Sequence, residues 1–150
     1  LQPTVILPSP RQDSQEVPIG SDDFTFGLRG NAGLNYTLLG NAHYLDISAG
    51  YFHRLDTPSD QLKLDITTGL NLNESWQLLP QIFITQNVGD IGTGGFTQSA
   101  ADDYDLIKAQ LSVIYQLNEA SAAQLGGFYH VQGKNTGAGG GLVLSYIRNF

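Results

Sequence analysis

From Phe24 to Leu38 the chain alternates without a break. Phe24, Phe26, Leu28, Gly30, Ala32, Leu34, Tyr36 and Leu38 hold one parity, and Thr25, Gly27, Arg29, Asn31, Gly33, Asn35 and Thr37 hold the other. A period of two puts the first set on one side of an extended strand and the second on the opposite side. A helix would scatter both around its circumference. The pattern returns as Leu45, Ile47, Ala49, Tyr51 against Tyr44, Asp46, Ser48, Gly50, and as Leu62, Leu64, Ile66, Leu70 against Lys63, Asp65, Thr67, Asn71. Further on, Trp76, Leu78, Pro80, Ile82 and Ile84 oppose Gln77, Leu79, Gln81, Phe83 and Thr85, and Ile107, Ala109, Leu111, Val113 and Tyr115 oppose Lys108, Gln110, Ser112, Ile114 and Gln116. Leu125, Gly127, Tyr129 and Val131 then face away from Gln124, Gly126, Phe128 and His130, and Leu142, Leu144 and Tyr146 from Gly141, Val143 and Ser145. With the short run Gln2–Leu7, eight strands are predicted and no helix.

The connections alternate in length. Tight turns are expected near Leu39–Asn41, Asn73–Ser75 and Asn118–Ala120, and longer loops at Pro8–Asp23, Asp56–Asp60, Asn87–Asp105 and Gly133–Gly137. Short turns at one end and long loops at the other are the layout of an outer-membrane barrel. The aromatics are sorted by height on the apolar parity: Tyr36, Trp76, Tyr115 and Tyr146 lie toward the turns, and Phe24, Phe26, Tyr51 and Tyr129 toward the loops. Two such belts flanking an aliphatic band suit the two lipid–water boundaries. A soluble barrel of the lipocalin kind would put its apolar side inward and would have no reason to sort aromatics. The expected fold is all-β: an antiparallel up-and-down transmembrane β-barrel forming a single domain over 1–150.

Composition narrows the function. The net charge is −7, with 7 Lys plus Arg against 14 Asp plus Glu, which argues against nucleic acid because phosphate binding needs a basic face. Only 14% of residues are charged, below the ~25% of soluble globular chains. Cys is absent, which removes disulfides, thiolate metal sites and Cys nucleophiles. Met is absent too, so Leu1 is expected to follow a cleavage or to open a fragment. No apolar run is long enough for a transmembrane helix.

The last ten residues, Gly141-Leu-Val-Leu-Ser-Tyr-Ile-Arg-Asn-Phe150, resemble the C-terminal signal read by the barrel-assembly machinery, with Phe150 preceded at alternate positions by Tyr146, Leu144 and Leu142. Arg148 departs from that pattern. The stretch Gly126–Leu142 (GGFYHVQGKNTGAGGGL), with Ala49-Gly-Tyr-Phe-His-Arg54, resembles the porin-like outer-membrane proteins associated with the meta-pathway of phenol degradation. This resemblance implies a channel or transporter and carries over no catalytic residue. Members of that family are longer, which raises a second expectation: the chain is the C-terminal part of a barrel of ~12 strands, wide enough for a pore, whereas an eight-strand barrel fills its own lumen.

On the polar parity Arg29, Asp46, Arg54, Lys63, Asp65, Gln81, Lys108, Gln110 and His130 are expected to line the lumen, along with Gln77, Gln116, Gln124 and Gln132. They suit an internal ion-pair and hydrogen-bond network or a lining that selects solutes. A hydrolase would need His130 beside a nucleophile such as Ser48 or Ser112 and an acid such as Asp46, but their expected heights disagree, so the chain is read as no enzyme. His43 and His53 take the apolar parity. The loop holding Gly89–Gly95 and Asp102-Asp-Tyr-Asp105 lacks EF-hand spacing, and Gly133-Lys-Asn lacks the spacing and the Ser or Thr of a P-loop. Metals and cofactors are therefore not expected. The sequence reads as a channel for small solutes in a Gram-negative outer membrane. The alternative is a non-conducting barrel serving as an anchor or as a subunit of an envelope assembly. Expected partners are outer-membrane lipid and lipopolysaccharide, the barrel-assembly machinery, and other envelope proteins through the loops.

Overall fold

The computed structural model describes residues 1–7, 24–55, 59–88 and 104–148. Strands account for 83% of them, and there is no helix among them. The strands are β1 (Gln2–Ile6), β2 (Thr25–Leu38), β3 (Asn41–Arg54), β4 (Asp60–Asn71), β5 (Trp76–Val88), β6 (Asp105–Asn118), β7 (Ser121–Lys134) and β8 (Gly140–Arg148). They form one antiparallel sheet in which every strand pairs with its neighbours in sequence, β1-β2-β3-β4-β5-β6-β7-β8. This is the all-β, up-and-down topology expected from the alternation. The long loops other than Gly133–Gly137 fall largely outside the described residues, as does Phe150.

Local chemistry sets the tight turns. β2 and β3 are joined by Leu39 and Gly40, with φ of 53° and 85°. Two successive positive-φ residues match the right-handed twist of a hairpin, and glycine takes the second at no steric cost. Between β4 and β5, Asn73 Oδ1 accepts hydrogen bonds from the Ser75 and Trp76 N–H groups at 2.9 and 3.0 Å. Asn118 Oδ1 accepts from the Ala120 N–H at 3.0 Å in the β6–β7 turn. Both asparagines fold the chain back by standing in for a backbone acceptor.

The two faces differ as the alternation requires, with apolar side chains on the more open one. Leu28, Leu111 and Leu144 are 56%, 53% and 78% exposed. On the polar parity Phe52, Leu79, Gln61 and Ser112 are buried, the last to 1%. A single sheet has no second layer to cover that face. Its burial comes from curling, which crowds the side chains inside the wall and splays those outside.

Three irregularities shape the wall. Pro80 lies inside β5, where it lacks an N–H to donate, and the β4–β5 pairing lapses between Thr67↔Gln81 and Leu70↔Leu78 without changing register. The β6–β7 register shifts between Ile107↔Gln132 and Lys108↔His130, leaving Val131 as an extra residue. That bulge corrects one expectation: Gln132 stands opposite Ile107 on the apolar face, not among the lumen residues, because an extra residue inverts every side chain beyond it. The third is at the edges. β1 covers only Thr25–Arg29 of β2, and no pairing joins β8 to β1 among the described residues. The described strands thus make an open wall with two edges rather than a closed eight-strand cylinder.

Candidate functional site

The polar face carries the chain's concentrated chemistry, and the ladder orders it into rows. One row runs His130, Lys108, Phe83, Asp65, Ser48, Asn31 across β7 to β2. The row on the turn side runs Phe128, Gln110, Gln81, Thr67, Asp46, Gly33, and the row on the loop side runs Leu106, Thr85, Lys63, Gly50, Arg29, Gln2. Every expected lumen residue within these rows is on the polar face.

The groups are joined directly. Arg29 Nη1 donates to Asp65 Oδ2 at 2.8 Å, with both side chains about a quarter exposed. Gln110 Nε2 donates to Gln81 Oε1 at 2.9 Å, and Gln81 Nε2 to Thr67 Oγ1 at 3.2 Å. Gln77 Nε2 donates to Asn71 Oδ1 at 2.7 Å. Toward the loop end Arg54 Nε donates to the Ser59 carbonyl at 2.6 Å, and Gln61 Nε2 to Asn87 Oδ1 at 3.3 Å. Such a network removes the cost of leaving polar groups unpaired inside a curved wall. Among the described residues, the buried side-chain atoms Ser48 Oγ, Ser112 Oγ and Asn87 Nδ2 have no hydrogen-bond partner.

Two lysines are held in another way. Lys63 Nζ lies 4.8 Å from the centre of the Phe52 ring, which also faces Arg29 Cζ at 5.8 Å. Lys108 Nζ lies 4.2 Å from the Phe83 ring and 5.5 Å from the Phe128 ring. An ammonium over an aromatic face gains ~0.5–2 kcal/mol from the ring quadrupole, depending on desolvation. The rings of Phe52 and Tyr44 sit in notches left by glycine. A Cβ on Gly27 would stand 2.5 Å from the Phe52 ring, and one on Gly69 would stand 2.0 Å from Tyr44. Phe52, Phe83, Phe128 and Tyr44 are not among the site residues expected from the sequence. A signal for them exists, since each is an aromatic on the polar parity, and Phe52 and Tyr44 stand directly across a strand from a glycine.

His130 is engaged by the β7–β8 loop. His130 Nδ1 is 2.9 Å from the Gly137 carbonyl oxygen, and the His130 N–H donates to Gly139 O at 2.8 Å. Both contacts tie the β7–β8 loop to β7. Ser48 shares the ladder row of His130 but lies four strands away, roughly 19 Å at ordinary strand spacing. The two side chains are therefore kept apart across the sheet.

On the apolar face the turn-side aromatics form two ring pairs, one ladder row apart. Trp76 and Tyr115 stack with ring centres 4.6 Å apart, and Tyr36 packs on His43 at 5.3 Å. Tyr146 follows on β8, level with Ala123 and so with Tyr115. His43 is buried, takes the Asn71 N–H on Nδ1 at 3.0 Å and donates from Nε2 to the Leu38 carbonyl at 3.1 Å. The first contact fixes the tautomer, and the ring braces β2, β3 and β4. On the loop side Phe26 and Tyr51 stand near one another on β2 and β3, with Phe24 just before β2, but the ladder row of Tyr129 runs through Ala109 and Ile82 to Ile66, in mid-strand on β4. That belt is stepped, as the stagger of a tilted sheet produces.

Asp60 forms a hub at the loop-side rim. Its carboxylate accepts from the Tyr51 hydroxyl, from His53 Nδ1 at 2.9 Å and from the Arg54 N–H at 3.0 Å. Burial would raise its pKa, but these hydrogen bonds outweigh that and hold it below the ordinary 3.8. Asp102 and Asp103 lie outside the described residues, and no group of three or more His, Asp or Glu among the described residues could hold a metal ion. Comparison with known proteins found no matching family model, no matching curated protein and no matching solved structure.

Proposed function

We propose that the chain forms the wall of an outer-membrane β-barrel and serves as a passive channel for small solutes. The observation that carries this reading is the inverted placement of side chains. Leucines and aromatics occupy the open face in strands of 12 to 14 residues from β2 to β7. A tilted strand needs ~9–11 residues to cross a bilayer, so each of these spans it with residues to spare at both ends. In water such a face would be a large apolar patch of the kind that drives association. The polar face then borders the pore, and diffusion past it needs no covalent step and no cofactor. The resemblance to porin-like proteins in the Gly-rich stretches points the same way.

A second reading, a filled barrel acting as anchor or assembly subunit, draws on the interior rings of Phe52, Tyr44, Phe83 and Phe128, which occupy space that a pore would leave to water. Planar-bilayer recording of the refolded protein separates the two. Discrete conductance steps are expected for a channel. Heat-modifiable, membrane-inserted protein that never conducts would favour the filled barrel.

A further inference from the structure

We propose that the interior selects for small anions, with Lys63 and Lys108 as the residues that set the preference. This rests on the channel reading above and adds the class of solute. Among the described residues, the middle of the polar face carries Arg29, Lys63 and Lys108 against Asp46 and Asp65, an excess of one positive charge (three less two) in a chain whose net charge is −7. How the lysines are held matters more than the count. The usual partner of a lysine in a protein interior is a carboxylate, which neutralises it. Asp65 is engaged by Arg29 at 2.8 Å, whereas Lys63 lies over Phe52 and Lys108 lies between Phe83 and Phe128. An aromatic ring orients and stabilises an ammonium but carries no net charge. The positive potential therefore stays available to a solute.

Placement strengthens the effect. Lys63 pairs with Thr85 and Lys108 with Phe83, so the two lysines are separated by β5 and by one row of the ladder. At ordinary sheet spacing that is roughly 12 Å, so a solute midway between them lies about 6 Å from each, inside the ~8 Å Debye length at physiological ionic strength. Asn87 Nδ2, a buried donor with no partner, lies two residues above Thr85 on the same face. An inorganic anion or small carboxylate fits such a surface, and a cation of the same size is repelled.

The test is the reversal potential of the full chain in planar bilayers across a steep KCl gradient. Chloride selectivity is expected. Lys63→Gln with Lys108→Gln should lower the chloride-to-potassium permeability ratio several-fold, Lys63→Arg with Lys108→Arg should keep it, and Asp46→Asn should raise it. Heat-modifiable migration on gels checks that each variant has folded. A conducting wild type that prefers potassium, or a ratio unmoved in the double Gln variant, overturns the assignment while leaving the channel standing. Inserted protein with no conductance overturns the channel reading and the selectivity with it.

Discussion

The two faces of one sheet make opposite use of the same alternation. The outer face is plainer in mid-strand, where it is aliphatic, and its specific contacts lie toward the strand ends: the ring pairs Trp76–Tyr115 and Tyr36–His43 and the bonds of Tyr51 and His53 to Asp60. The inner face is specific. Arg29 meets Asp65, Gln110 meets Gln81, which meets Thr67, and Phe52 fits the notch at Gly27. On the proposed membrane reading, a face turned to hydrocarbon needs only to be apolar, because lipid chains adapt to any shape. One that crowds against itself has to satisfy donors, acceptors and volumes locally.

Substitutions can break this contrast at several strengths. The largest effect is expected from a charge on the outer face in mid-strand. Leu111→Lys should destabilise the inserted protein by ~2–4 kcal/mol, the depth-dependent cost of lysine at a bilayer midplane, whereas Gln110→Lys, one residue away on the inner face, should cost far less. Equilibrium unfolding from lipid vesicles measures both. Next comes overpacking of an inner notch. Gly69→Val would drive a side chain into the Tyr44 ring, 2.0 Å from where the first carbon must stand, and should cost about 1–3 kcal/mol. Gly40→Ala at the turn has open space around it but a φ of 85°, so a loss of about 1 kcal/mol is expected from backbone strain alone. Comparing the two separates lack of space from lack of conformational freedom.

Smaller effects belong to the polar contacts. Asp65→Asn should cost ~1 kcal/mol or less, because the Arg29–Asp65 pair is partly exposed and screened. At the rim the Asp60 carboxyl lies below its ordinary value, so the unfolded chain binds its proton more readily than the folded one does. The stability it contributes is present above the ordinary Asp pKa and is lost as pH falls through the lower folded value. Asp60→Asn should remove that part of the acid sensitivity, read as a smaller difference in unfolding midpoint between neutral and acidic buffer.

How much of the molecule is legible in its sequence depends on the range of each signal. Alternation is local, so the strands and turns can be read directly: the alternating run Phe24–Leu38 forms β2 from Thr25 to Leu38, and the turn at Leu39–Asn41 is where the chain reverses. The face of each side chain is legible wherever the period is unbroken. It fails at Gln132, because a bulge at Val131 shows only once β6 and β7 are paired. Pairing also decides what touches what. Phe83 and Phe128 are far apart in the chain, yet both meet Lys108 because β6 lies between β5 and β7. Alternation carries no information on closure, and so the free edges at β1 and β8 cannot be read from it.

The most direct check on the inverted placement uses two features of the chain, a single tryptophan and no cysteine. Fluorophores placed one at a time on cysteines from Ala109 to Val113 in the lipid-inserted protein, with quenchers buried in the acyl chains, read which way each side chain points. Strong quenching at Ala109, Leu111 and Val113, weak quenching at Gln110 and Ser112, and shallow quenching of Trp76 itself are expected. Equal quenching at all five positions, or the opposite parity, would contradict a wall whose hydrocarbon-facing side is the leucine side.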